Sequence, residues 1–123
     1  MYYRRHFIST HDGLVHPDFA LQTHDTLMTV TDKEAIFCVF NKHVNVFNTR
    51  KHPFLFNTLF MEAKYLPVMP ITSFIKLAEA QGDPKSQVIW IHHTGRCGST
   101  AIAQAFIALP DTVALSAPHC LLS

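Results

Sequence analysis

The sequence predicts an α/β fold in which an antiparallel β meander and helices precede one parallel βαβ unit. Two β-prone runs flank a short polar turn near residue 32, which is typical of a hairpin. Further along, two stretches carry apolar residues at helical spacing. An apolar run, a glycine-bearing turn and an alanine-rich helical pattern then follow one another between residues 88 and 109. With 123 residues, 48% of them hydrophobic, the chain suits one domain.

Within this single domain we distinguish three parts: residues 1–66 as meander and helix, residues 67–87 as short helix and linker, and residues 88–123 as the βαβ unit. In the first part, residues 27–30 and 35–40 form the predicted hairpin around the polar residues 31–34. Val44, Val46 and Phe47 add a predicted third strand. The links are too short for a parallel crossover, so we expect an antiparallel meander.

Two helices are expected next. The first spans about residues 53–65, since proline suits the first turn of a helix and the apolar residues that follow recur at helical spacing, with a strand as the alternative. The second is capped by Thr72 or Ser73. It ends at Gly82, because glycine allows the left-handed conformation after the last turn and Pro84 prevents continuation.

The βαβ unit begins at residues 88–91, an apolar run without alternation. Such a run is typical of a parallel strand that is buried on both faces. A helix follows the glycine turn and stops at Pro110, and residues 112–115 form the second predicted strand. The crossover should be right-handed.

The glycine turn, residues 94–100, offers a place for an anion. Its backbone N–H groups and the first N–H groups of the helix converge, and the helix dipole adds partial positive charge. Gly95 and Gly98 allow a close approach because they lack a Cβ. The hydroxyls of Ser99 and Thr100 add donors. An ordinary strand-to-helix turn with Ser99 as N-cap is the alternative interpretation.

The turn departs from the pattern of ATP- and GTP-binding P-loops. That pattern has four residues between its glycines and a lysine before the Ser/Thr, whereas here two residues separate the glycines and the cation is Arg96. A P-loop kinase or NTPase is therefore disfavoured.

The segment HTGRCGSTAIAQAF, preceded by VIWIH and followed by ALPDTVALSAPH, resembles the 5′-phosphosulfate loop of the sulfotransferase-like P-loop family. HPFLF at residues 52–56 and MPITSFIKLAEAQGDP at residues 69–84 are similar, less specifically, to the segment before that loop. The resemblance implies that the chain binds 3′-phosphoadenosine 5′-phosphosulfate without a metal and transfers sulfate to an acceptor hydroxyl or amine. It places the donor-binding residues at Gly95, Arg96, Cys97, Gly98, Ser99 and Thr100.

Two departures from the family bear on activity. Relatives carry Ser-Glu-Pro after the second strand, whereas residues 116–118 read Ser-Ala-Pro, so His119 is the candidate proton acceptor. The family's ligands for the 3′-phosphate lie in later strands and helices. We therefore expect this chain to correspond to the front half of such a protein and to have little or no transfer activity by itself. A non-catalytic nucleotide-binding or interaction module is the alternative function.

Composition excludes several other classes. The net charge is +1 and there is no long basic run, so the sequence lacks a nucleic-acid footprint. Three widely spaced cysteines without a Cys-x-x-Cys motif indicate reduced thiols and favour a cytoplasmic location. The histidines show no zinc-binding spacing, and no apolar run suits a membrane segment. Exposed apolar residues make self-association an open expectation.

Overall fold

A computed structural model describes residues 8–22, 25–48 and 54–116 and shows a small α/β fold with one antiparallel sheet. A 3-10 helix (Pro17–Leu21) precedes the first strand. In chain order the remaining elements are β1 (Asp25–Val30), β2 (Glu34–Val39), α1 (Leu55–Glu62), β3 (Val68–Pro70), α2 (Ile71–Gln81) and α3 (Ser99–Ile107). The sheet order is β1-β2-β3, with β2 in the centre.

The predicted hairpin is confirmed. β1 and β2 pair antiparallel, with a bulge between Leu27 and Thr29. Thr31 closes the turn: its backbone N–H donates to the carbonyl of Glu34 (2.8 Å), and its hydroxyl oxygen accepts from the N–H groups of Lys33 (3.2 Å) and Glu34 (3.0 Å). Because the turn residue satisfies these local donors itself, the hairpin is largely encoded within residues 25–39.

The third strand lies elsewhere than predicted. Residues 44–47 form turns, in which Val44 donates to the Asn41 carbonyl (2.9 Å) and the side chain of Asn45 accepts from the Phe47 N–H (3.0 Å). An asparagine side chain that accepts a hydrogen bond from a nearby backbone N–H offers that backbone an alternative to pairing in a sheet. The free edge of β2 is instead taken by β3, which pairs with it antiparallel.

β2 is buried on both faces of the sheet, and its side chains alternate between two clusters. Cys38 and the following Phe40 belong to the cluster beneath α1, together with Met28, Leu55 and Leu59. Ala35 and Phe37 belong to the other cluster with Met69, against which Phe74 and Leu77 of α2 pack. The sheet therefore has a helix on each face. Residues 25–81 are called the sheet unit below.

α1 is shorter than the predicted helix of residues 53–65, and Pro53 lies outside the described residues. The helix ends at Glu62 because the next residues return to the sheet: the N–H of Lys64 donates to the carbonyl of Val39 (2.8 Å), and Val39 also forms a β-bridge with Tyr65. A backbone engaged in this pairing cannot continue as a helix.

α2 was predicted correctly except for its start. Its N-cap is Pro70, not Thr72 or Ser73, and no side chain caps it. The N–H of Ile71 instead donates to the carbonyl of Lys33 in the hairpin turn (2.8 Å). At the other end Gly82 has φ 69° and its N–H donates to the Ala78 carbonyl (3.0 Å), which confirms the predicted glycine stop.

The predicted parallel βαβ unit is wrong in its strands. Its helix is present as α3, but residues 88–91 and 112–115 are not strands in the structure. A parallel strand needs a hydrogen-bonded neighbour and cover on both faces. Here β2 already has a neighbour on each side and each sheet face already carries a helix. Residues 82–116, called the loop segment below, contain no buried residue.

Candidate functional site

The predicted anion-binding turn lies where an apolar stretch meets the first turn of α3. Gly98 is the N-cap of α3 in the left-handed conformation (φ 85°, ψ 16°), and its carbonyl accepts from the N–H groups of Ala101 (3.0 Å) and Ile102 (3.2 Å). Ser99 is thus the first helical residue and not the N-cap. The assignment of the N-cap to Ser99 in the alternative interpretation of the turn is therefore wrong.

No side chain caps α3. Within the part of the chain that the structure describes, the backbone N–H groups of Cys97, Gly98, Ser99 and Thr100 have no hydrogen-bond acceptor in the protein. Consecutive unpaired N–H groups at the positive end of a helix attract anions. α3 has nine residues, which is more than two helical turns, and its aligned peptide dipoles place partial positive charge at its N-terminus.

The backbone of the turn is strained at Arg96. Its φ of 58° places a residue with a Cβ in the left-handed region, which costs roughly 1–2 kcal/mol. Such conformations are frequent at ligand-binding turns, where they direct successive N–H groups toward one point. Asp111, at φ 57°, is the other described non-glycine residue with a positive φ.

Open space surrounds both glycines of the turn. A Cβ built at Gly95 or at Gly98 would have no atom within 4 Å. Position 98 favours glycine because its φ is positive. The φ of Gly95 does not lie in that region, so its conformation does not favour glycine. Both positions therefore leave room for a group to approach the backbone.

The side chains of the turn are arranged for access from solvent. Gly95, Arg96, Cys97 and Gly98 are exposed, whereas Ser99 and Thr100 are half-buried. Cys97 is a free thiol. The structure thus brings the predicted donor-binding residues into one exposed turn. Among the described residues, none lies opposite the turn to enclose a ligand bound there.

The two histidines before the turn differ in their bonding. Nδ1 of the His93 ring lies 2.9 Å from the carbonyl oxygen of Thr94, a distance at which the tautomer protonated on Nδ1 donates a hydrogen bond. His92 is exposed. The predicted proton acceptor, His119, lies outside the described residues.

The loop segment touches the sheet unit close to α1. The backbone N–H of Leu55, the first residue of α1, donates to the carbonyl of Ser116 (3.1 Å). This bond satisfies one of the unpaired donors at the start of α1. It ties the chain that follows α3 to the sheet unit without burying α3.

Sequence patterns did not indicate a surface cavity of about 300 Å³ between β1 and the turns after β2. It includes no residue of the glycine turn. Its lining mixes aromatic and aliphatic groups with an amine and an imidazole: Thr26, Phe40, Lys42, His43, Val44, Asn45, Val46 and Phe47. Three of these residues, Val44, Val46 and Phe47, were predicted to form a strand, so no cavity was expected there.

Among the described residues, neither a cluster of metal ligands nor a membrane-spanning helix is present. No group of three or more His, Cys, Asp or Glu side chains is close enough there to hold a metal ion. No described helix has the length and apolar character required to cross a bilayer.

The chain was compared with protein-family models, curated proteins and solved structures, and none of the three comparisons found a match.

Proposed function

We propose that the glycine turn binds the 5′-phosphosulfate of 3′-phosphoadenosine 5′-phosphosulfate in a sulfotransferase-like protein. The observation that supports the proposal is the uncapped start of α3, where left-handed Gly98 is followed by N–H groups without protein acceptors. The likeness of HTGRCGST to the family's loop supplies the identity of the anion.

The residues of the turn have separate roles in this proposal. The N–H groups of residues 97–100 donate to the phosphate oxygens, and each charge-assisted bond contributes about 1.5–3 kcal/mol. The guanidinium of Arg96 binds two oxygens at once, as a lysine cannot. The half-buried hydroxyls of Ser99 and Thr100 donate from the helix start. Gly95 and Gly98 leave the backbone accessible.

The bound donor supplies a sulfuryl group whose bond to the 5′-phosphate breaks during transfer. Negative charge then increases on the phosphate oxygens, and Arg96 together with the amides stabilises that charge by donors that are already oriented. His119 accepts the proton of the acceptor hydroxyl or amine. Binding by the turn is the central claim, and we expect the isolated chain to transfer little or no sulfate.

Ligand titrations followed by thermal shift and calorimetry test the proposal. We expect adenosine 3′,5′-bisphosphate to stabilise the chain. Arg96→Ala should weaken its binding about tenfold or more, because a charge-assisted contact is lost. The matched control is Lys85→Ala, which removes an equal charge from an exposed position outside the turn. It should bind like the unaltered chain.

The two alternative functions give different results in the same titrations. Stabilisation by ATP with magnesium, and not by the bisphosphate, would indicate a kinase or NTPase. No stabilisation by either nucleotide would favour the non-catalytic interaction module. Equal losses in Arg96→Ala and Lys85→Ala would show that charge alone, rather than the turn, attracts the nucleotide.

A further inference from the structure

The surface cavity of about 300 Å³ between β1 and the turns after β2 takes no part in the proposed function. Its apolar lining is continuous with the core. Phe40 is buried in the cluster beneath α1, and the half-buried Val44 and Val46 pack against that same cluster. The half-buried Phe47 adds a second aromatic ring to the lining. The packing of the sheet unit therefore holds the apolar part of the cavity in place.

Hydrogen bonds hold the turns that form the other side of the cavity. The N–H of Val44 donates to the carbonyl of Asn41 (2.9 Å), and the N–H of Asn48 donates to the carbonyl of Asn45 (3.2 Å). The side-chain oxygen of Asn45 accepts from the N–H of Phe47 (3.0 Å). Because these local bonds form the cavity in advance, less conformational ordering is required when a ligand binds.

The polar groups of the lining suit an anion. The side chains of Lys42 and His43 line the cavity and are exposed to solvent. Because Asn45 uses its side-chain oxygen within the turn, its amide NH₂ group is left to donate. Among the described residues that line the cavity, none is an aspartate or a glutamate. An anion in the cavity therefore meets an ammonium group and N–H donors, and no negative charge from that lining.

We propose that the cavity binds a small aromatic carboxylate, with its ring against the apolar lining and its carboxylate at Lys42. Small-molecule sites combine a mainly apolar lining with a few polar groups and have volumes from about 300 Å³ upward. This cavity is at the lower end of that range, which suits a molecule of one or two rings. The rings of Phe40 and Phe47 favour an aromatic partner. The ammonium group of Lys42 forms a charge-assisted hydrogen bond with the carboxylate.

Amide-resolved NMR titrations of the 123-residue chain test this site with three probes: naphthoate, its neutral alcohol analogue and acetate. We expect naphthoate to shift the amide signals of residues 40–47. The alcohol should bind more weakly because it lacks the charge, and acetate should bind more weakly because it lacks the ring. Naphthoate shifts confined to other residues would overturn the proposal. Equal affinity for the alcohol or for acetate would overturn it as well.

Lys42→Gln should weaken naphthoate binding about threefold to tenfold, because it removes the charge and keeps a side chain of similar length. Lys33→Gln is the matched control, since it removes the same charge from an exposed position in the hairpin turn, at the opposite end of β2. It should bind naphthoate like the unaltered chain. Equal weakening by the two substitutions would overturn the proposal, because overall charge and not this cavity would then attract the anion.

Arg96→Ala separates this cavity from the glycine turn. It should bind naphthoate like the unaltered chain, although we expect it to lose affinity for adenosine 3′,5′-bisphosphate. Failure of the cavity and failure of the proposed function are therefore distinguishable. Weaker naphthoate binding in Arg96→Ala would overturn the cavity proposal, because the carboxylate would then bind at the glycine turn.

Discussion

β2 in the sheet unit and residues 88–91 in the loop segment are both short runs of apolar, β-prone residues, yet they have opposite environments. The four central residues of β2 are buried, and strands flank it on both sides. The four residues of the later run are exposed and have no backbone partner among the described residues. Composition makes a segment suitable for a sheet, but a strand exists only where another segment supplies hydrogen bonds and cover.

β2 and residues 88–91 also differ in the segments that lie next to them along the chain. β2 has β1 only a turn away, and Thr31 holds that turn with its own hydroxyl. β3 then returns to the other edge of β2. Residues 88–91 are followed by an uncapped helix, and the loop segment is joined to the sheet unit by the Leu55–Ser116 backbone bond. Local neighbours require little loop closure, whereas distant ones require the whole tertiary arrangement.

The two described cysteines offer the largest test of this contrast. Cys38 lies in β2 with its sulfur 3.5 Å from the Met28 sulfur, and burial raises the pKa of its thiol to about 12. At pH 8 the native chain then has on the order of a thousandfold less Cys38 thiolate than an ordinary exposed thiol would give. Cys97 is exposed. A thiol reagent should label Cys97 rapidly and Cys38 very slowly, as read by peptide mass spectrometry.

The labelling rate of Cys38 should also change with pH in a defined direction. Because the neutral thiol of Cys38 is favoured in the folded chain, its labelling should accelerate as pH rises from 8 toward 10, while the chain stays folded. Denaturant should remove the difference between the two sites. Similar native labelling rates at pH 8 would contradict the burial of β2.

A pair of alanine substitutions tests packing in the two regions. Leu59 of α1 is fully buried against the sheet, and Leu59→Ala should lower the free energy of unfolding by about 2–5 kcal/mol, since it leaves a cavity. Ile102 of α3 is 41% exposed, and Ile102→Ala should cost less than about 1 kcal/mol. Urea titration measures both values. Similar losses would mean that α3 packs as tightly as α1.

A more local effect is expected at the start of α3. Gly98→Ala places a Cβ at φ 85° and should lower the hydrogen-exchange protection of the α3 amides about five- to thirtyfold, which corresponds to about 1–2 kcal/mol. Gly95→Ala is the control, because its φ is not in the left-handed region and a Cβ there meets no atom within 4 Å. An equal loss at both positions would argue against the left-handed N-cap.

Several elements followed from sequence patterns, and their causes are local. The hairpin depends on two apolar runs and a turn, α2 ends at a glycine in the left-handed conformation, and α3 starts at the glycine turn. The third strand was predicted at residues 44–47 because valines alternate there. Its true position, Val68–Pro70, depends on a long return to β2, which alternation within one segment does not reveal.

The candidate site shows the same division. Glycine spacing and the following helix predicted a turn with unpaired N–H groups, and the structure has such a turn, in which residues 95–98 are exposed. The alternative interpretation assigned the N-cap to Ser99, whereas the N-cap is Gly98, because glycine readily adopts a left-handed backbone. The left-handed conformation of Arg96 was not predicted, since side-chain type disfavours it there.

By itself, the sequence determined the hairpin, the helices that glycine and proline delimit, and the glycine turn with its unpaired N–H groups before α3. Each depends on hydrogen bonds and backbone preferences within a few residues. Only the tertiary structure decided which apolar runs became strands and which stayed exposed. That choice depends on the two edges and two faces of β2, which are occupied by β1, β3, α1 and α2 and are therefore closed to residues 88–91.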